Sequence, residues 1–299
     1  MNKNKGLITR RHFLRGAACA GLAMAIDFPS ASMAGKGNGP KTRVVLVRDE
    51  QALNENGKAN GQVIQEMLDS AVKALLDEQD VVSAWKELVR PSDTVGIKSN
   101  VWYQLPTPRE LEQAIYRRVS EAGVLSQRIA IDDRGVLSNP IFQNSTALIN
   151  VRPVRTHFWS GIGGCMKNYI MFVPTPSSYH RNSCEDLAAI WKLPVVKDKT
   201  KLNVLCVLQP LFHGRGPHHF SRKYLWEYKG LLVGTDPVAV DTMGLRLIMA
   251  KRLAYFGEEK KLGTLPLHVE AADTKHNLGT SDLNRIELIK LGWEEDVLI

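Results

Sequence analysis

Apolar runs and apolar stripes alternate along residues 43–250. Val44-Val45-Leu46-Val47 is a short continuous run between Arg43 and Arg48, the pattern of a buried strand. Val63, Ile64, Met67, Leu68, Ala71, Val72, Leu75 and Leu76 recur at helical spacing and predict a helix with one apolar face. The segment 94–98 reads as a strand running into Ser99-Asn100. Leu111, Ala114, Ile115, Val119 and Ala122 mark a second helix, with Thr107-Pro108 as cap and first-turn pair and Gly123 as its end. The segment 128–131 is a strand ending in Asp132-Asp133. The order β-α-β-α-β predicts an α/β fold, a single domain with a largely parallel sheet flanked by helices. In such sheets ligand sites gather at the carboxyl ends of strands, where Lys98-Ser99-Asn100 and Asp132-Asp133 fall.

Periodicity fades over 156–192, which reads as loop with a short helix over 185–193. The run 202–208 is a strand, followed by the polar loop His213-Gly214-Arg215-Gly216-Pro217-His218-His219. Residues 230–234 form another strand. Asp236-Pro237 caps and starts a helix to about Ala250, and 285–289 is the last strand candidate. The folded region spans 43–299, after a flexible linker at 35–42.

The amino-terminal segment has a different character. Arg10-Arg11-His12-Phe13-Leu14-Arg15 precedes a mildly apolar stretch, 16–26, too short to span a bilayer. Ser32 and Ala34 place small residues at −3 and −1 of a cut after Ala34. This is the pattern of a cleaved signal peptide, residues 1–34, and the paired arginines match the twin-arginine export signal. The expected location is the periplasm. The expected partner in transit is the twin-arginine translocase, with no stable membrane anchor. That route carries folded proteins, which raises the expectation of a cofactor without naming one.

The leader changes what the charge means. The 299-residue chain carries +8. Residues 1–34 hold Lys3, Lys5, Arg10, Arg11 and Arg15 against Asp27, so half of the excess leaves with the leader. The remainder is no argument for a nucleic-acid partner. Apolar residues at 44% and charged residues at 23% exclude a disordered chain, and four cysteines exclude a disulfide-dense scaffold.

Four blocks, in order, carry a resemblance: Val95-Gly96-Ile97-Lys98-Ser99-Asn100; Thr156-His157 with Gly163-Gly164-Cys165-Met166-Lys167-Asn168; His213-Gly214-Arg215-Gly216-Pro217; and Gly234-Thr235-Asp236-Pro237-Val238-Ala239-Val240-Asp241. Over about 43–292 the chain resembles the domain-of-unknown-function 362 family, with His180 where that family often has a histidine. The resemblance implies a fold and a site rather than a reaction. Arg155-Thr156-His157 stands where the family has Lys-x-His, and Gly163-Gly164-Cys165 replaces a Thr-Gly stretch. The cysteine run that many relatives carry is missing. Cys165, Cys184 and Cys206 cannot supply the four thiolates of a [4Fe-4S] cluster within one chain.

The block 157–168 is the leading site candidate. Glycines let backbone amides approach a ligand and a lysine adds charge, so a small anionic ligand fits there. The expected ligand-binding residues are Lys98, Asn100, His157, Lys167 and Asn168. Imidazole and carboxylate also suit a metal ion, for which His157, His180 and Asp241 are the candidate set. Asp236 reads as a helix cap, and folding in a reducing compartment favours free thiols. Neither a nucleophile elbow nor a dinucleotide fingerprint is present. Two readings follow: a redox-linked or accessory enzyme with an anion pocket, or a non-catalytic binding or assembly protein exported in folded form.

Overall fold

The apolar runs pair into one sheet. The computed structural model describes residues 40–214, 216 and 219–299. The leader 1–34 with Arg10, Arg11 and Ala34, residues 35–39 of the linker, and Arg215, Pro217 and His218 lie outside the described residues. The strands are β1 (Thr42–Arg48), β2 (Val95–Lys98), β3 (Ile129–Asp132), β4 (Ala147–His157), β5 (Gly161–Gly163), β6 (Thr200–Leu211), β7 (Gly230–Gly234) and β8 (Ile286–Gly292). The helices are α1 (Gly61–Leu76), α2 (Val81–Leu88), α3 (Arg109–Glu121), α4 (Pro140–Gln143), α5 (Cys165–Asn168), α6 (Pro237–Phe256) and α7 (Leu267–Thr274).

The sheet order is β3-β2-β4-β6-β7-β1-β8, with β5 paired to β4. β3, β2, β4 and β6 are mutually parallel, as are β1 and β8, while β7 runs antiparallel to both β6 and β1. The fold is thus α/β with a mixed, mainly parallel sheet, β5 and β7 being the antiparallel strands.

Alternation along each strand divides the core in two. Val45, Val47, Ile149, Val151, Leu202, Val204, Leu231 and Val233 join the apolar faces of α1, α2 and α3. Val44, Leu46, Leu148, Val154, Leu205, Val207 and Leu232 join α6, α7 and the turns of Asn182–Lys192 on the other side. The heptad-like stripe of α1 is buried as its spacing requires, apart from Leu76 at its end.

Three local expectations need correction. Thr107 does not cap α3, which starts at Arg109 after Pro108; its hydroxyl instead accepts the Asn100 amide at 3.1 Å. The segment 185–193 is not an α-helix but 3-10 turns over Asn182–Lys192, interrupted by left-handed Ser183 and Cys184. The largest omission is β4, whose eleven residues are all buried at the middle of the sheet. Asn150, Arg152, Pro153 and Arg155 interrupt its apolar pattern, and those interruptions belong to the site.

Candidate functional site

A polar row crosses the apolar sheet. In register, Asp132 lies beside Lys98, Lys98 beside Asn150, Asn150 beside Asn203, and Asn203 beside Gly234. Side chains knit the row together. Asn150 Nδ2 donates to Asn203 Oδ1 at 3.1 Å and to the Cys165 carbonyl at 2.9 Å, and Asn203 Nδ2 donates to the Thr235 carbonyl at 3.0 Å. Asn168, at the end of α5, sits over the row. Its Nδ2 reaches Asn150 Oδ1 (2.9 Å) and the carbonyls of Lys98 (3.1 Å) and Val151 (3.2 Å). Its Oδ1 accepts from Asn100 Nδ2 at 3.3 Å. Buried amides need such partners, so this network fixes the register of the strand ends.

Lys98 is fully buried at the carboxyl end of β2. Its ammonium lies 2.5 Å from Asp133 Oδ1 and 2.7 Å from the Ser99 carbonyl. Burial pushes its pKa down to about 8, against the opposing pull of Asp133. Asp133 Oδ2 also accepts the Val101 amide at 2.9 Å, which anchors the loop after β2.

Asp241, on the second turn of α6, is fully buried and caps α5 from outside it. Its oxygens accept the amides of Cys165 (2.5 Å) and Met166 (2.9 Å). Burial pushes its pKa up to about 6, and those amides pull the other way. A Cβ at Gly164 would run into this carboxylate, so the glycine is required by the contact. Gly161, at φ 70°, makes a similar close approach to the backbone of 264–266, just before α7.

Two arginines of β4 enter the same cluster. Arg152 Nη1 donates to the Gly164 carbonyl at 3.1 Å. Arg155 Nη1 donates to Asn100 Oδ1 at 3.2 Å, and its guanidinium lies 4.5 Å from the centre of the Trp102 ring. Lys167 is buried, with its ammonium 3.6 Å from Cys184 Sγ, and burial pushes its pKa down to about 8. Cys184 follows Asn182 and Ser183 in a run of three non-glycine residues with positive φ, a strained segment held against Lys167.

Three histidines feel the charge of Lys167. Burial, then the charges of Lys167, Arg155 and Arg152, hold His157 well below the ordinary imidazole range. Its Nδ1 accepts the Trp159 amide at 3.3 Å. His180 stacks on Trp159 at 4.2 Å and is held down to about 4 by burial and Lys167. His268, on α7, is fully buried, and burial with the charges of Lys167 and Arg152 holds it down to about 3.

Charge is unbalanced in this cluster. Lys98, Arg152, Arg155 and Lys167 are buried here together with two buried carboxylates, Asp133 and Asp241. Asp133 pairs with Lys98, and Asp241 is the carboxylate that acts most strongly on Arg152. Arg152, Arg155 and Lys167 form no salt bridge among the described residues. Among the described residues, Arg155 Nε and Thr156 Oγ1 are buried without a hydrogen-bond partner, as are both ring nitrogens of His268.

Residues 111–246 match the family model of a domain of unknown function, DUF362. The DUF362 match runs from α3 into α6, and so contains Arg152, Arg155, His157, Lys167, Asn168, His180 and Asp241. Lys98, Asn100 and His268 lie outside it. Three of the four motif blocks fall within the matched residues, and the strand ending at Lys98-Ser99-Asn100 precedes them. No curated protein and no solved structure matches the chain significantly.

All five expected ligand-binding residues, Lys98, Asn100, His157, Lys167 and Asn168, join this cluster. The expected metal set does not converge. Among the described residues, no three His, Cys, Asp or Glu side chains are grouped to hold a metal ion. Asp241 spends both oxygens on backbone amides, and His180 lies flat on Trp159. Cys165, Cys184 and Cys206 are free and buried. His213 is elsewhere, against Arg252, Tyr224 and Phe256. Sequence reasoning missed Arg152, Asn150, Asn203 and His268. Two polar residues at alternate positions between Ile149, Val151 and Val154 were the available signal for Asn150 and Arg152; nothing in the sequence marks His268. No helix among the described residues is long and apolar enough to cross a membrane.

Proposed function

We propose that this protein binds a small anionic ligand beside Arg155, His157 and Lys167, and that it does so in the periplasm after twin-arginine export in folded form. One observation carries the binding reading: among the described residues, the buried cations Arg155 and Lys167 form no salt bridge with a carboxylate. A buried, unpaired cation is costly, and an anion bound between the two groups offsets that cost. The neighbouring imidazoles are neutral, and each keeps one N–H donor and one acceptor nitrogen for a bound molecule; on this reading the protein is a redox-linked or accessory enzyme acting on that anion. The twin-arginine motif and the small residues before Gly35 support the location.

A second reading has its own support. Asn150 and Asn203 spend their hydrogen bonds on each other, on Asn168 and on backbone, as a purely structural network would. On that reading the protein is a non-catalytic binding or assembly protein, and the polar blocks serve the fold.

Calorimetric titration of the folded protein with inorganic phosphate, sulfate and acetate separates the two. Saturable binding of any of these anions, lost in Lys167→Met and Arg155→Met variants that remain folded, supports the anion site. Absence of binding of all three favours the second reading.

A further inference from the structure

The anion reading leaves one group without a task. His268 is fully buried on α7, outside the residues that match DUF362, and among the described residues neither ring nitrogen has a hydrogen-bond partner. Other buried side chains with unpartnered atoms lie in the molecule, such as Trp85 and Trp191, but each leaves a single nitrogen unpaired. An imidazole leaves two, a donor and an acceptor, and each unpaired buried polar atom is costly. Chain elements place His268 by the cluster rather than in a separate core. The segment 264–266 packs its backbone against Gly161 of β5, and Thr264 Oγ1 donates to the Phe158 carbonyl at 2.5 Å. Lys167 and Arg152 are near enough for their charges to act on the ring.

The charge count narrows what would sit there. Four buried cations stand with two buried carboxylates, so the cluster carries two positive charges in excess. Asp132, which also acts on Lys98, and Glu112 are only half-buried, and Asp132 accepts from the Gly135 amide and Asn139 Nδ2 at the rim. A monoanion leaves one buried charge over; a dianion with several acceptor oxygens matches the excess and gives each donor an oxygen.

We propose that His268 is a ligand-contacting residue of this site, donating a ring N–H to a dianionic oxyanion of the hydrogen-phosphate or phosphate-monoester class that also meets Arg155 and Lys167. The proposal rests on the anion reading above and adds to it a residue and a ligand class. A neutral imidazole keeps one N–H donor, which serves an oxyanion without adding a further buried charge.

Inorganic phosphate, with acetate as the monoanionic control, tests the proposal on the folded protein by calorimetry near pH 7.5. The expected result is phosphate binding at least tenfold tighter than acetate. His268→Phe should then weaken phosphate at least tenfold, and His268→Gln, which keeps a donor, should restore most of that loss. The imidazole ¹⁵N signals of His268 in the unaltered protein should move on adding phosphate, a readout that stands even where His268→Phe fails to fold. Phosphate binding with unmoved His268 signals, or with equal affinity in folded His268→Phe, overturns the role of His268 while the anion site stands. Acetate binding as tightly as phosphate overturns the dianion class. Failure to bind any anion overturns the underlying reading as well.

Discussion

The Lys98 ammonium lies 2.5 Å from Asp133 Oδ1, and both side chains are buried at the carboxyl ends of neighbouring strands. Removing one partner leaves the other charge buried and alone. Asp133→Asn and Lys98→Met should each destabilise the protein by about 3–5 kcal/mol, and the double variant by less than their sum. Urea unfolding of the four proteins gives the coupling. Additive losses would show that the pair is not energetically linked.

Lys167 should show the opposite trade. It is buried without a carboxylate partner, so Lys167→Met should leave the ligand-free protein as stable as the parent or more so, by about 1–3 kcal/mol. The variant should lose the stabilisation that phosphate confers on the parent. Burial holds Lys167 down to about 8, so phosphate affinity in the parent should fall as pH rises above that value. Thermal unfolding with and without phosphate at pH 7 and 9 reads both effects.

His268 gives the stability an acid limb. Its pKa is held down to about 3 in the folded protein against 6.5 when exposed, and His180 is held down to about 4. Between pH 6.5 and about 3 the unfolded chain therefore binds more protons, and stability from these groups is lost as pH falls. Asp241 works against them: raised to about 6, it adds stability as pH falls from there towards 3.8. The difference between parent and His268→Phe isolates the imidazole. The urea midpoint of the parent should fall more steeply from pH 7 to 4.5 than that of the variant; parallel slopes would contradict a neutral, buried His268.

Asp241 holds the α5 turn by its two amide contacts. Asp241→Asn replaces one acceptor by a donor that faces an N–H, a loss of about 1–3 kcal/mol. Gly164→Ala should be at least as harmful, since its Cβ would meet the same carboxylate. Amide hydrogen exchange at Cys165 and Met166 should rise in both variants before the rest of the sheet is affected.

Export makes a separate claim. Replacing Arg10 and Arg11 together by lysine should keep the precursor out of the periplasm, and the exported protein should begin at Gly35. Fractionation with mass measurement of the exported form decides it. An export level unchanged in the double variant would argue for another route.

The strands that were legible were those with a short, mostly apolar run. Val44 to Val47 in β1 and Leu231 to Val233 in β7 are unbroken, and the helical stripe of α1 predicts its own buried face. β4 was not legible because Asn150, Arg152 and Arg155 break its hydrophobic run, although each is buried. Those positions violate the local pattern because they serve the site, which is where local and global preferences are expected to conflict. Lys98, Lys167 and Asn168 could be picked out from motif blocks. Arg155 was visible only as a departure from Lys-x-His, and His268 not at all, since a single histidine on a short helix carries no spacing signal.

The placement of the polar residues on β4 also bears on misfolding. Neighbouring side chains on a strand face opposite layers, so a slip of one residue against β2 would carry Asn150 and Arg152 into the apolar layer shared with α1, α2 and α3. The same slip would turn Ile149 and Val151 towards Lys98 and Asn168. Out-of-register chains are therefore penalised twice, once by stranded charges and once by wetted hydrocarbon. The buried polar groups of β4 thus also act as a proofreading key for its pairing with β2.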